Sequence, residues 1–295
     1  MSLQMIDFTK IQIPDKCGNT LLQNRLLSFE RNVNEDTGEL DISEERTAEY
    51  KNMKFKIYPS GRVILMGSWH KFAKEGYNSS DFNIRDFRLA VFDFCKSFDL
   101  NPNELRLLQF EAGVNIVPPM QIRSVLRAFV CSSDGKVSFS QMRSKTGSSL
   151  GVEMYRNEYG IKVYDKSKQY KLSNDLMRYE IKFTSSKLFR REFGVEYLSD
   201  LMLLCKWLRI SMRVENSVKD LILNEPTFEI SGLSSVKKNF IVQSSVSNFW
   251  KELNRRQRMR SKIKMKKMVE QYARSDLKSA IQTRVREKLL QLTAI

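Results

Sequence analysis

The chain has 295 residues, of which 41% are hydrophobic and 28% charged. That length suits one large domain or a domain with an appendage, and the composition excludes a disordered or fibrous chain. The formal net charge of +16 calls for a polyanionic partner, nucleic acid first and an anionic membrane second.

The N-terminus lacks the basic-then-apolar order of a signal peptide. The most apolar stretch, 197–210, is interrupted by Asp200, Lys206 and Arg209. It is too short to span a bilayer, so a buried helix is predicted there. Cys17, Cys95, Cys131 and Cys205 form no CxxC pair, and His70 is the single histidine. A structural zinc site is therefore not expected. Scattered cysteines without a leader predict small, reduced core thiols in a cytoplasm.

In chain order, residues 53–58 (MKFKIY) and 62–66 (RVILM) flank a Pro59-Ser60-Gly61 turn, which predicts a hairpin. Over 84–99 the apolar residues Phe87, Ala90, Val91, Phe94, Cys95 and Phe98 repeat at helical spacing. A long strand is predicted over 105–116. Pro118-Pro119 stops it, and a helix follows over 120–129. The Ser-, Gly- and Lys-rich stretch 132–151 reads as an exposed loop or short hairpin. Two more strands are predicted over 161–166 and 177–184, then helix over 188–223.

The charge is uneven. Residues 251–295 hold 14 Lys/Arg against 4 Asp/Glu and contain no Gly or Pro. Arg255, Arg256, Arg258, Arg260, Lys262, Lys264, Lys266 and Lys267 are packed almost continuously. Helix formers dominate here, so one or two basic helices are predicted. A merely solvated face would mix its signs. The near-absence of acid in the first half points to phosphate contact, with affinity that falls steeply as salt rises. The whole reads as an α+β chain: a mainly antiparallel central sheet with flanking helices, followed by a basic helical C-terminal part. The expected division is 1–187 for the sheet domain and 188–295 for the helical, basic region.

Side chains alternate faces along a strand. In the 107–116 strand, one face carries Phe110, Ala112, Val114 and Ile116, and the other Gln109, Glu111, Gly113 and Asn115. In the 161–166 strand, Lys162, Tyr164 and Lys166 share the polar face. In the 177–183 strand, Tyr179, Ile181 and Phe183 are apolar, opposite Arg178, Glu180 and Lys182. If the apolar faces share one core, Glu111, Glu180, Tyr164, Lys166 and Arg178 gather on the other side. Two carboxylates suit an oxygen-ligated Mg²⁺ or Mn²⁺, which would polarise a phosphodiester. A tyrosine hydroxyl beside it can attack phosphorus and form a covalent intermediate. Lys166 and the metal would favour its phenolate. Lys166 and Arg178 could hold the nonbridging oxygens. The alternative is plain: solvent-facing Glu-Lys pairs are ordinary cross-strand stabilisers. Tyr155, Tyr159, Tyr170 and Tyr179 compete with Tyr164. Alternation sends Tyr179 into the core, while Tyr155 and Tyr159 precede the strand as possible loop nucleophiles.

In this order the segments resemble the replication initiators of filamentous phages (the gene II/X type). More distantly they resemble the rolling-circle initiators of small plasmids that lack paired histidines. The resemblance rests on Met5-Ile6-Asp7, the strand-turn-strand of 55–72 ending in Trp69-His70, and Leu107-Leu108-Gln109-Phe110-Glu111. It continues in Val163-Tyr164-Asp165-Lys166, Met177-Arg178-Tyr179-Glu180-Ile181 and Ser247-Asn248-Phe249-Trp250. It spans most of residues 5–252. The family's first acid is commonly Asp after an Arg-Ile pair, whereas Gln109-Phe110 precedes Glu111 here. The solitary His70 excludes nicking enzymes with a paired-histidine metal motif, and by itself predicts a local hydrogen-bonding residue.

The resemblance implies a site-specific DNA nicking-joining enzyme acting at a replication origin in a bacterial host cytoplasm. Tyr164 would be the nucleophile forming a 5′-phosphotyrosine link, and Glu111 and Glu180 the ligands of Mg²⁺ or Mn²⁺. The DNA would be single-stranded or a hairpin, and host replication proteins would be further partners. The competing class is a non-catalytic nucleic-acid-binding protein for replication control or packaging, which would keep the basic helices and use the sheet as scaffold. A membrane-surface protein is disfavoured, because the basic tail lacks a wide aromatic apolar face.

Overall fold

The computed structural model describes residues 5–30, 45–78, 80, 82–143 and 147–293. The chain begins with β1 (Ile6–Ile13) and a short helix α1 (Gly18–Leu22), followed by β2 (Arg46–Tyr50), β3 (Met53–Ile57) and β4 (Val63–Ser68). Helices α2 (Trp69–Ala73) and α3 (Ile84–Phe98) lead to the long β5 (Arg106–Ile116). Then come α4 (Ile122–Ala128), β6 (Phe129–Ser132), β7 (Ser140–Arg143), β8 (Ser149–Tyr155), β9 (Tyr159–Asp165), α5 (Lys166–Tyr170) and β10 (Met177–Phe183). The remainder is α6 (Ser186–Phe193), α7 (Leu204–Lys219), β11 (Leu221–Leu223), α8 (Ser235–Ser244), α9 (Ser247–Glu252), α10 (Arg255–Tyr272) and α11 (Leu277–Thr293). Nine strands form one sheet in the order β2-β3-β4-β1-β5-β10-β9-β8-β7, and β11 pairs with β6. The α+β class, the largely antiparallel sheet and the helical, basic C-terminal part all agree with the sequence.

The predicted hairpin forms with Ile57 opposite Val63. Gly61 takes φ 82 in the turn, a conformation that costs a side-chain-bearing residue energy. Helix α3 buries the predicted stripe and starts at Asn83, whose side chain and Asp86 form a capping box.

Contacts group the chain into two units. One comprises residues 1–113, 182–210 and 292–295, and the other 114–181 and 211–291. The functional division expected at 187/188 is a separate matter and remains a proposal.

The first unit has an aromatic core. Phe94 and Phe98 lie 4.9 Å apart and Phe55 and Phe98 5.0 Å apart, with Trp69 edge-on to Phe94 at 5.4 Å. Such pairs add about 0.5–1.5 kcal/mol each beyond the area they bury. Two pieces of the sequence resemblance serve this unit structurally. Asp7 accepts from Ser68 and from Asn78, and the Trp69 indole donates to Thr9. His70 is buried, pairs with Ser80 at 2.9 Å and stacks on Phe82 at 4.8 Å, the local role predicted for it. In the second unit, Tyr179 is buried as alternation predicts and its hydroxyl meets Ser217 of α7 at 2.7 Å. All four cysteines are free, and burial pushes the Cys95 and Cys131 thiols up to about 12, as suits inert core residues.

Several local expectations need correction. Of the two readings of 132–151, the short hairpin holds: β7 pairs antiparallel with β8, while residues 144–146 lie outside the described residues. Tyr155 and Tyr159 are in strands rather than a loop. Lys166 does not end a strand but opens α5. Within 188–223, Leu221–Leu223 form β11, because a short apolar run bears no period that separates strand from buried helix.

Candidate active site

The site is described within the second unit. On β9 the alternating pattern gives one face to Lys162 and Tyr164, opposite Glu153 and Gly151 of β8. On β10 it gives one face to Arg178 and Glu180. The Lys162 ammonium lies 3.3 Å from Glu180 Oε1, so both faces lie on the same side of the sheet. Tyr179 occupies the other side, against α7. Asp165 caps α5 by accepting from the Lys168 amide at 2.8 Å, and the Lys166 amide donates to Leu176 at 2.8 Å. Helix α5 thus starts directly after Tyr164's strand and carries Lys166 inward, where it is fully buried.

Four charged groups meet here, three of them buried and Lys162 partly exposed. Arg178 is fully buried and Glu180 is 2% exposed. Arg178 Nε donates to Glu180 Oε2 at 2.5 Å, and its Nη1 donates to Asn115 at 3.1 Å. Burial alone would raise the Glu180 carboxyl. Arg178, Lys162 and Lys166 outweigh burial and hold it well below the usual carboxylate range, so it is ionised at neutral pH. With one anion among three cations, the cluster keeps a positive surplus, which suits an incoming phosphate.

Tyr164 sits at the edge of this cluster. The Lys166 ammonium is 5.6 Å from the centre of its ring and 4.9 Å from that of Tyr170, both within cation–π range. The close approach of β8 to β9 at Tyr164 needs glycine as its cross-strand partner. A Cβ at Gly151 would lie 2.2 Å from the Val163 carbonyl oxygen and 2.5 Å from Tyr164 Cα. Gly151→Ala should therefore push β8 off β9, destabilising the chain by about 1–3 kcal/mol. A thermal melt checks this, and an unchanged midpoint would show that Gly151 is replaceable.

The competing tyrosines separate by position. Tyr155 is half exposed, and its hydroxyl donates to Glu153 at 2.9 Å. Tyr159 lies under the Arg213 guanidinium at 4.8 Å, on the side of the sheet opposite Tyr164. Tyr170 shares Lys166 with Tyr164 and is the one competitor within the cluster.

A cavity of about 530 Å³ borders the same strands, with Gly151 and Asp165 in its wall. Arg123, Arg127 and Lys168 line it together with Phe129 and Phe139, whose rings are 5.2 Å apart. Asp165, the acid in this wall, is engaged as the α5 cap. Cations beside aromatic rings are what a single nucleic-acid strand needs. These residues were not singled out from the sequence. The available signal was the Arg123/Arg127 pair, spaced to share one face of α4.

Glu111 belongs to the first unit, where its carboxylate is 3.9 Å from Lys182. Among the described residues no group of three or more His, Cys, Asp and Glu gathers to hold a metal. In the second unit Glu180 offers a single carboxylate, with Arg178 on one oxygen and Lys162 on the other. Magnesium commonly binds through one or two carboxylates and completes its shell with water and substrate phosphates. Glu180 is one such carboxylate, and both of its oxygens are engaged by cations.

The basic run forms α10, capped by Asn254 and Gln257, with Met265 and Met268 buried beneath it. Arg255, Arg256, Arg260, Lys262, Lys266 and Lys267 face solvent. Arg258 turns inward and donates to the Trp250 and Leu253 carbonyls at 3.1 and 2.5 Å. Lys264 lies over the Phe240 ring at 4.1 Å. Arg258 therefore holds α10 to the α9 end, and Lys264 packs on α8, in addition to any phosphate contact.

No family model and no curated protein matches this chain. Among solved structures it is similar to a rolling circle replication initiator protein from Geobacillus stearothermophilus. That similarity has 9% sequence identity and a TM-score of 0.42, and covers 81% of this chain and 95% of that one.

Proposed function

We propose that the chain initiates rolling-circle replication, in the manner of the filamentous-phage initiators, by nicking one DNA strand with Tyr164. The observation that carries this proposal is the grouping of Tyr164 with buried Lys166, Arg178 and Glu180, and with the partly exposed Lys162 at the edge of the group. An ordinary solvent-facing Glu-Lys pair would be exposed and would contribute little. Here the charges are desolvated, and burying them is costly. Buried, mutually perturbed charges beside a tyrosine ring are the kind of cluster in which functional sites are found.

The steps follow from the side chains. The strand enters the cleft of Arg123, Arg127 and Lys168 and stacks on the partly exposed Phe139. Tyr164 is only 7% exposed, so attack needs a movement that uncovers its hydroxyl. The Lys166 ammonium favours the phenolate. The phenol gives its proton to water, the phenolate oxygen bonds to phosphorus while the P–O3′ bond breaks, and the departing 3′ oxygen takes a proton from water, leaving the 5′ phosphate on Tyr164 and a free 3′ hydroxyl. Lys162 and Arg178, the latter held in place by Glu180 and Asn115, stabilise the charge that builds on the nonbridging oxygens. Within this unit Glu180 is the proposed ligand of Mg²⁺ or Mn²⁺, whose contribution would be to neutralise phosphate charge; Glu111, expected from the sequence in the same role, belongs to the other unit. The exposed cations of α10 supply sequence-independent grip on DNA.

The test is covalent capture. Purified full-length protein is incubated with Mg²⁺ and a single-stranded oligonucleotide library. Adducts are trapped in denaturant and mapped by mass spectrometry. A nucleotide linked through its 5′ phosphate to Tyr164 is expected. An adduct on Tyr170 instead would reassign the nucleophile. Salt-sensitive binding with no adduct at all would leave a non-catalytic DNA-binding protein.

A further inference from the structure

A second cavity, of about 340 Å³, lies between β11, α9, α10 and the start of α11, all within the second unit. Its size is at the lower end of small-molecule pockets, which run from about 300 to 1,000 Å³. Its floor is apolar, with Ile222, Leu223, Trp250, Met265 and Leu277 among the lining residues. Trp250 is held rigidly there, its indole donating to the Ser244 carbonyl at 2.7 Å. The rim carries Lys262, Lys266 and Lys278.

The acids near this rim are already in use. Glu225 accepts from the Thr227 and Leu277 amides at 3.0 and 2.6 Å. Asp276 accepts from the Ser279 amide and hydroxyl at 3.0 and 2.6 Å. Lys266 meets Glu270 only at 3.8 Å on an exposed surface. Lys278 donates to the neutral Lys219 and Leu221 carbonyls at 2.8 and 2.7 Å. Burial, then repulsion from Lys262, lowers the Lys278 ammonium below its ordinary range, and an anion between the two would relieve that repulsion. Asn224 also lines the cavity, and its buried Oδ1 has no hydrogen-bond partner among the described residues.

We propose that this cavity binds a nucleotide, with the base on the apolar floor beside Trp250 and the phosphate at Lys262, Lys266 and Lys278. The ligand must be apolar and flat at one end and anionic at the other. A base edge also brings N–H donors, the partner that Asn224 Oδ1 lacks among the described residues, whereas an acyl phosphate brings none. The nucleotide can be free or can be one unit of a DNA strand held by α10. The site is independent of the nicking proposal, because it shares no residue with the Tyr164 cluster.

Calorimetric titration of the full-length protein tests it, with deoxynucleoside 5′-monophosphates, the matching nucleosides, inorganic phosphate and a short single-stranded oligonucleotide as probes. Saturable binding of a monophosphate at one site is expected, with nucleoside and inorganic phosphate each weaker. The Lys262→Ala/Lys266→Ala pair should weaken the monophosphate about tenfold or more. Asn224→Ala should change the preference among bases. Displacement of the monophosphate by the oligonucleotide assigns the site to the strand, and its absence assigns it to a free nucleotide. The proposal is overturned if no monophosphate binds saturably. It is equally overturned if inorganic phosphate binds as well as the nucleotide, or if the lysine pair leaves nucleotide affinity unchanged. The readout is binding, so it stands or fails whether or not the protein cleaves DNA.

Discussion

Tyr164→Phe will abolish covalent DNA capture and lower strand cleavage by more than about a thousandfold, the scale seen when a nucleophile is removed from a group that acts as a unit. The substitution removes one oxygen and keeps the ring. Packing against Gly151 and the 5.6 Å approach of the Lys166 ammonium both survive. Stability should therefore fall by no more than about 0.5–1.5 kcal/mol, the most that losing one hydroxyl's hydrogen bond costs. DNA affinity should hold, because the exposed cations of α10 are untouched. The diagnostic result is the combination: a folded variant that binds DNA with the same salt dependence and forms no adduct. Residual cleavage near the parent rate would remove Tyr164 from the chemistry. Tyr170→Phe serves as the comparison, since that ring sits 4.9 Å from the same ammonium. Loss of capture in Tyr170→Phe alone would move the nucleophile into α5.

Much of this arrangement was legible in the sequence, and the reason is the period of a strand. Alternation placed Arg178 and Glu180 on one face of β10 and Tyr179 on the other, and the structure has them so. It likewise put Lys162 and Tyr164 together. Alternation says nothing about depth, however. A Lys-x-Tyr-x-Lys pattern beside Arg-x-Glu looks like a solvated sheet surface, yet Lys166, Arg178 and Glu180 are almost fully buried. Arg178's partner Asn115 lies on another strand, 63 positions away in sequence, and no local pattern encodes that. The displacement of Lys166 into α5 was missed for a different reason. Its cap, Asp165, reads equally well as a strand residue until the helix is seen. Glycine 151 carries a comparable lesson, because its value lies in a cross-strand neighbour thirteen positions on, visible only once register is known. The basic run was the easiest feature to find. Its dual use was not, since the inward turn of Arg258 depends on where Trp250 and Leu253 present their carbonyls.

Arg178→Met should destabilise the chain by about 3–5 kcal/mol, the usual cost of stranding one partner of a buried ion pair. At this size that corresponds to a fall of roughly 6–20 °C in melting temperature. Methionine fills much of the volume, so the loss reports on charge more than on packing. The pH dependence identifies the cause. Glu180 has a depressed folded-state carboxyl, so its pairing stabilises the parent fully above the unfolded carboxyl pKa of about 4.3. That contribution is lost as pH falls through the lower folded value. In the variant, Glu180 keeps Lys162 at 3.3 Å but loses its closest cation, so its carboxyl rises toward the ordinary range and takes up a proton on mild acidification. The gap between parent and variant should therefore be widest near neutral pH and shrink progressively below about pH 4. Melts at neutral and acidic pH measure it directly. A gap of equal size at both would assign the loss to the missing guanidinium contacts with Asn115, and Glu180 would no longer account for the stability of the cluster.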